Sequence, residues 1–135
     1  KGLEEKVTKL KASRIINFLG YVANASKHIK NYDIYVHPTS REGFGIAILE
    51  AMNAGVPIIV PKRGGASEII ENDTQGLQID FNSRKEWTNV VEQLKNHRIR
   101  DKMAHNAKIL LKDRYSIESM TANYEEVIND ILKKG

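Results

Sequence analysis

The spacing of apolar residues changes several times along this 135-residue chain, and each change predicts a new element. Apolar residues three or four positions apart follow one face of a helix, whereas short apolar runs bounded by turn residues are typical of strands. The helices are expected over residues 1–12, 26–31, 45–53, 66–71, 87–94, 103–111 and 117–132, and the strands over 14–22, 33–37, 56–60 and 77–79.

Strands that alternate with helices predict an α/β fold, here a doubly wound, Rossmann-like parallel sheet covered by helices on both faces. The length suits one folded unit. Four strands nevertheless make a narrow sheet, and the chain opens on a charged helix without a preceding strand, so we expect a piece of a larger protein. In such sheets the ligand crevice lies beyond the carboxyl ends of the strands, where the loops 38–45 and 61–65 are expected.

The segment 46–54 is the most apolar helix, and only Glu50 and Asn53 in it are polar. It is expected to be largely enclosed by its neighbours. A carboxylate there needs a partner, because an unpaired buried charge is costly; the candidates are a cation in a structural ion pair, a backbone donor, or the hydroxyls of a ligand. Glu42 lies about 12 Å away along an ideal helix, which is too far for the two carboxylates to share a proton or a metal.

Two glycines flank Phe44 at the start of this helix. The first amides of a helix lack partners inside the helix, and its positive dipole end favours an anion, so Gly43 and Gly45 are candidates for a ligand-binding turn. Loop glycines with unusual backbone angles are an equally good account. Glu42 has a similar alternative as a capping carboxylate for the same amides.

Further candidates follow strand ends. His37 could contact a ligand in the crevice, although such histidines are more often satisfied locally, and Lys62 with Arg63 could neutralise an anion, although a loop pair of this kind is more often solvated surface. No local motif suggests a nucleophilic triad. No Asp-x-Asp pair is present to hold a divalent metal at a diphosphate, so we expect no metal.

The last predicted helix carries the most regular apolar stripe of the chain. Such a stripe is more often core, but a terminal amphipathic segment can also dock another domain or a second copy, and self-association through 117–132 is kept as an alternative. The stripe consists of Ile117, Met120, Tyr124, Val127, Ile128 and Ile131.

Composition narrows the class of protein. The net charge of +4 and the pI near 9.3 come without long basic runs, which is too weak a signal for nucleic acid. The absence of cysteine fits a reducing compartment, and no apolar run is long enough for a transmembrane segment. We predict a cytoplasmic protein, with peripheral association at the inner face of the membrane as an open alternative.

Several motifs together resemble the later part of the C-terminal domain of a group 1 retaining glycosyltransferase with the GT-B fold. The resemblance covers nearly the whole chain. The matching stretches are 32–38, leading to Glu42; the Glu-x7-Glu pair Glu42 and Glu50 around 43–45; 50–57; Gly64-Gly65 followed by 68–70; and 114–116 before the final helix.

The resemblance implies roles for the two glutamates and for the turn between them. Glu42, as the catalytic residue, would face the donor hexose, and Glu50 would bind the nucleotide ribose. The sugar and diphosphate would meet the amides of Gly43, Phe44, Gly45, Ile46 and Ala47. His37 and Lys62 are candidate ligand contacts because of their places at strand ends, and the resemblance adds no role for them. The family transfers a hexosyl group from a nucleoside-diphosphate sugar to an acceptor hydroxyl with retention, usually without an essential metal or other cofactor.

The resemblance also implies what lies outside this sequence. Family members carry an N-terminal acceptor domain and an early basic pair that grips the diphosphate, and neither has a counterpart in residues 1–135. We therefore expect a donor-binding piece that is inactive alone and belongs to polysaccharide or glycoconjugate synthesis. A noncatalytic nucleotide-binding or partner-docking α/β module is the alternative.

Overall fold

Three parallel strands and seven helices make up the described part of the chain, which is residues 2–41 and 43–134 of a computed structural model. The elements in chain order are α1 (Gly2–Lys9), α2 (Ser26–Ile29), β1 (Tyr35–Val36), α3 (Ile46–Ala54), β2 (Ile58–Pro61), α4 (Gly65–Ile69), β3 (Gly76–Ile79), α5 (Arg84–Leu94), α6 (His97–Tyr115) and α7 (Ile117–Lys134).

The sheet has the order β1-β2-β3 with all strands parallel, which confirms the predicted α/β class. Tyr35 is aligned with Ile58, and Ile58 is aligned with Gly76. Because every strand runs in the same direction, all three carboxyl ends open on one edge of the sheet, where the loops after β1, β2 and β3 emerge.

Residues on opposite faces of β2 enter two different core clusters, so helices cover both faces of the sheet as predicted. Ile58 and Val60 pack with the α3 residues Ile48, Ala51 and Met52. On the other face, Ile59 packs with Leu77, Ile79, Val90, Leu94 and Met103. Helix α6 reaches both clusters, because its Met103 belongs to one and its Ala107 to the other.

The strand predicted over 14–22 is wrong. These residues form turns and irregular backbone, and side chains such as Ile15 and Tyr21 are 83% and 94% exposed. A strand needs a neighbour for its backbone groups, and within the described residues the three strands pair only with one another. The sheet therefore has three strands in this part of the chain, not the expected four.

The predicted strand 33–37 is shortened to Tyr35–Val36. Its ladder to β2 is nevertheless longer than the assigned strand, because the Tyr35 N–H donates to the Pro57 carbonyl and the His37 N–H donates to the Ile59 carbonyl. These bonds fix the direction in which the chain leaves β1 towards the crevice.

The predicted helix 45–53 corresponds to α3 and ends as expected at Gly55, whose φ of 73° lies in the left-handed region. The expectation that the terminal stripe is core is wrong, since no residue of α7 is buried. Within residues 2–41 and 43–134, every helix is too short or too polar to span a bilayer.

Candidate functional site

The amino end of α3 is partly open to solvent, since Phe44 and Ile46 are exposed whereas Gly45 between them is buried. Gly45, the residue before the helix, has φ 71° and ψ 37°, a left-handed conformation that glycine adopts at little cost, and it offers no side chain to cap the following amides. Phe44 is 54% exposed and Ile46 is 65% exposed. The expectation of a largely enclosed helix is therefore wrong at this end, although Ile48, Ala51 and Met52 are buried and Leu49 packs against the same core.

Aromatic packing holds the turn before α3. The ring of Phe44 meets the ring of Tyr115 edge to face, with the ring centroids 6.4 Å apart. Tyr115 is the last residue of α6, so the end of that helix supports the glycine-flanked turn. The contact leaves the backbone of Gly43 and Phe44 at the surface, where a ligand can approach it.

Glu50 lies on the side of α3 that faces away from the core. Helical periodicity places it beside Ile46 and Asn53, both of which are exposed, and its own side chain is partly exposed. No residue in the described ranges forms a hydrogen bond or ion pair with its carboxylate. Glu50 therefore forms no structural ion pair with these residues, which argues against that alternative.

Glu42 lies outside the described residues, so its predicted catalytic role stays a prediction. On its amino side the Arg41 N–H donates to the Thr39 hydroxyl at 3.2 Å, which shapes the loop that leads from β1 to α3.

The loops that leave β1 and β2 meet at Gly64. This residue has φ 98° and ψ 176°, and an added Cβ atom would lie 2.0 Å from the Ser40 carbonyl oxygen. Only glycine allows this approach of one backbone to another without a shift. The pair Gly64-Gly65 thus sets the position of the loop that carries the chain from β1 towards α3.

A cavity of about 620 Å³ opens at the carboxyl edge of the sheet, between the loops that follow the three strands. Its lining includes Pro38 and Ser40 after β1, Pro61, Lys62 and Arg63 at β2, and Ile79, Asp80, Phe81 and Asn82 after β3, with Glu86 from α5. This is the edge at which open α/β sheets bind ligands, as the sequence predicted.

Lys62 is engaged in this cavity by a carboxylate. Its Nζ lies 2.7 Å from Glu86 Oε1, and Glu86 Oε2 accepts the Asp80 N–H at 2.9 Å. The hydrogen bond from Lys62, followed by that from the Asp80 amide, lowers the pKa of Glu86 below its usual range against a smaller opposing effect of desolvation. Lys62 can meet an anionic ligand here only by sharing or exchanging this partner.

His37 is 7% exposed, directly after β1. Its Nδ1 lies 3.4 Å from the Tyr35 hydroxyl. The alternative that this histidine is satisfied locally thus has a physical partner, and its burial leaves a ligand little access to the side chain.

The structure thus groups the predicted residues in two places. The turn 43–47 and Glu50 share the open side of α3, whereas Lys62 belongs to the cavity beyond β2 and β3.

Sequence reasoning missed Glu86 and Tyr115. Glu86 is 24 positions from Lys62, so no local signal could pair them, but Tyr115 stands in the stretch 114–116 that carries part of the family resemblance. Within the described ranges no three His, Cys, Asp or Glu side chains form a group that could hold a metal.

Comparison with protein families decides the relationship. Residues 1–110 match the family model for glycosyl transferases group 1. The chain belongs to this family. An uncharacterized family glycosyltransferase of Methanocaldococcus jannaschii is 32% identical over 130 residues, which is 94% of this chain and 33% of that protein.

Solved structures agree on the fold. The C-terminal domain of the group 1 protein LpcC from Francisella tularensis has 30% sequence identity and a TM-score of 0.73, over 86% of this chain and 62% of that one. Anabaena HepE, solved in complex with UDP, has 24% identity and a TM-score of 0.85, over 96% of this chain and 36% of that one. The fold is thus that of a GT-B C-terminal domain, and the chain spans about a third of the Methanocaldococcus relative and of HepE.

Proposed function

We propose that this chain supplies the donor-binding part of a retaining glycosyltransferase, which transfers a hexosyl group from a nucleoside-diphosphate sugar to an acceptor hydroxyl. One observation carries the proposal: in a member of this family, the exposed residues Gly43 and Phe44 precede a helix whose half-buried Glu50 has no partner among the described residues. Exposed backbone at a helix start and a carboxylate that these residues leave unpaired suit a ligand that is anionic at one end and rich in hydroxyls at the other.

The dimensions of α3 support this division of labour. Ile46 and Glu50 are four residues apart, which is about 6 Å along a helix. The amides of Gly43 to Ala47 would bind the diphosphate, helped by the positive end of the helix dipole. The Glu50 carboxylate, one turn further on, would accept hydrogen bonds from the two ribose hydroxyls, which are neutral donors and suit an ionised acceptor.

Transfer itself depends on positioning and on stabilising the departing diphosphate. In this proposal Glu42 faces the donor hexose, and the amides of the turn carry most of the charge stabilisation without a metal or other cofactor. Lys62 contributes if a phosphate replaces Glu86 as its partner. The proposal includes an acceptor domain elsewhere in the same enzyme and a role in polysaccharide or glycoconjugate synthesis. It also includes a cytoplasmic location, with or without contact with the membrane.

Calorimetric titration of the chain with UDP, GDP, ADP and their hexose derivatives tests donor binding. Glu50→Ala removes the ribose acceptor and Glu50→Gln keeps the shape without the charge. Losing hydrogen bonds to a charged group costs about 1.5–3 kcal/mol, so the Glu50→Ala variant should weaken the preferred nucleotide roughly 10- to 150-fold.

The control is Glu92→Ala, which removes another exposed helical carboxylate, on α5; among the described residues it pairs only with Lys95, one turn away. Affinity for the nucleotide should be unchanged in this variant. Binding that is indifferent to Glu50 would refute the ribose assignment and favour a different nucleotide-binding module, and the absence of binding to every nucleotide tested would refute the donor site.

A further inference from the structure

The cavity at the carboxyl edge of the sheet has no role yet apart from that of Lys62. Its volume of about 620 Å³ lies within the range of roughly 300–1,000 Å³ that is usual for small-molecule sites. Loops that follow all three strands contribute to its lining, together with Glu86 of α5. A cavity of this size at the ligand-binding edge of an α/β sheet is a candidate site for a second ligand.

Backbone contacts hold the walls of this cavity in place. On one side, Gly64 fixes the loop after β1 by its close approach to that loop. On the other side, the Asp80 N–H donates to Glu86 Oε2 at 2.9 Å. The Trp87 indole N–H donates to the Phe81 carbonyl at 3.1 Å, and the two rings meet edge to face. Because the walls are already ordered, a ligand loses little affinity to ordering them.

Several polar side chains of the lining are available to a ligand. Ser40, Arg63 and Asn82 have no side-chain hydrogen bond or ion pair within residues 2–41 and 43–134. Asp80 accepts the Asn82 N–H with one carboxylate oxygen, at 2.9 Å, and the other oxygen has no partner in the same ranges. All four residues are exposed, so water reaches these groups. A ligand that replaces this water must offer both donors and acceptors.

The charges of the lining favour a neutral ligand. Lys62 and Arg63 contribute two positive charges, and Asp80 and Glu86 contribute two negative ones. Lys62 is already paired with Glu86 at 2.7 Å, so an anion would be attracted by Arg63 but repelled by Asp80. A hydroxyl group both donates and accepts hydrogen bonds without adding charge. A neutral ligand rich in hydroxyls therefore matches the free groups better than a phosphate does.

Apolar surface separates these polar groups. It comes from residues after or at the end of each strand, namely Pro38, Pro61, Ile79 and Phe81. Small-molecule sites commonly combine apolar walls with a few polar groups that fix orientation. A sugar ring has C–H groups on its faces and hydroxyls around its rim, so it can meet both parts of this lining.

The cavity begins close to the proposed donor turn. Ser40 lines the cavity, and Gly43 is three positions further along the chain, so at most about 11 Å separates their Cα atoms. In the proposed function, the turn 43–47 binds the diphosphate that carries the donor hexose. A sugar in the cavity is therefore near enough to approach that hexose.

We propose that this cavity binds the sugar that accepts the hexosyl group, with hydrogen bonds from its hydroxyls to Ser40, Arg63, Asp80 and Asn82. This inference rests on the proposed function, because only a donor at the turn makes a nearby sugar an acceptor. In the transfer, the acceptor oxygen bonds to the anomeric carbon while the bond from that carbon to the diphosphate breaks. The hydroxyl proton goes to the departing diphosphate.

Backbone NMR spectra of the full chain test the site. The probes are the methyl α- and β-glycosides of glucose, galactose, mannose and N-acetylglucosamine, each titrated with and without UDP. At least one glycoside should shift the amides of Arg63, Asp80 and Asn82 in a saturable manner. Inorganic phosphate is the anionic probe and should shift these amides less than that glycoside does.

Two pairs of variants show whether the free side chains bind the sugar. Asn82→Ala and Arg63→Met each remove one hydrogen-bonding group from the cavity and should weaken glycoside binding roughly 2- to 10-fold. Asn123→Ala on α7 and Arg98→Met on α6 remove the same groups from exposed positions outside the cavity and should leave glycoside binding unchanged. The affinity of Asn82→Ala for UDP should equal that of the wild type.

Four results would overturn the inference. They are the absence of shifts at the cavity with every glycoside, stronger shifts there with phosphate, glycoside shifts confined to the turn 43–47, and equal glycoside affinities in the cavity variants and their controls. Failure of UDP to bind is a different result, because it refutes the donor site. The titrations of UDP and of the glycosides are separate, so the two failures can be distinguished.

Discussion

Gly64→Ala should be the most informative single substitution for the architecture of the crevice. Gly64 joins the loop after β2 to the loop after β1, and the added Cβ atom would lie 2.0 Å from the Ser40 carbonyl oxygen and 3.0 Å from the Ser40 Cα atom. These are backbone atoms, so no side-chain rotation relieves the overlap. One of the two loops must move.

The expected loss of unfolding free energy in the Gly64→Ala protein has two parts. The conformation of Gly64, φ 98° and ψ 176°, belongs to a region that side chains rarely adopt, and holding a residue there costs about 1–3 kcal/mol. Gly64 and Ser40 are both exposed, so relieving the overlap moves a surface loop and adds about 1 kcal/mol. We therefore expect a loss of about 2–4 kcal/mol of unfolding free energy, which lowers the melting temperature of a domain of this size by about 10 °C.

Thermal and urea unfolding followed by circular dichroism measure this effect. Gly43→Ala is the matched control, because an added Cβ atom there meets nothing within 4 Å and its φ is not in the left-handed region. Its stability should stay within about 0.5 kcal/mol of the wild type. Equal stability of the Gly64→Ala protein would refute the close approach of the two loops.

Two further predictions concern the core and the ion pair. Met52 is fully buried, and Met52→Ala should reduce the unfolding free energy by about 2–5 kcal/mol in urea titrations, through lost burial and a cavity; an unchanged midpoint would contradict the described packing of α3 on the sheet. Lys62→Met should raise the pKa of Glu86 towards its ordinary value of 4.5, as measured by NMR titration of the side-chain carboxyl. Because the folded-state pKa of Glu86 is lowered, the ion pair stabilises the fold above that ordinary value, and this stabilisation is lost as the pH falls through the folded-state pKa. The unfolding free energies of wild type and variant should therefore converge in acid. A Glu86 pKa that does not respond to the substitution would contradict the pairing.

Sequence predicted the elements whose signals are local. Helix α3 has an apolar run closed by Gly55, and β2 is a β-branched run closed by Pro61, so both lie within two residues of their predicted bounds at each end. Local rules could not tell that residues 14–22 lack a strand partner, because pairing depends on what else the chain places alongside.

Some features of the candidate site can likewise be predicted from local sequence, and others arise only from folding. The glycine turn before α3 and the polar position of Glu50 follow from the order of residues. The pairing of Lys62 with Glu86 and the support of Phe44 by Tyr115 join residues far apart in the sequence, and only folding brings them together. The exposure of Ile46 could not be predicted either, because the sequence alone does not distinguish an apolar residue at an exposed helix end from a core residue.

The central claim is that a nucleotide binds at the amino end of α3, and backbone NMR spectra recorded during titration with UDP and the other nucleoside diphosphates test it most directly. We predict that the largest shifts occur at the amides of Gly43 to Ala47, with smaller ones at Glu50. Shifts confined instead to the cavity around Lys62, or to the apolar depression of about 280 Å³ lined by residues such as Leu19 and Tyr32, would contradict the claim.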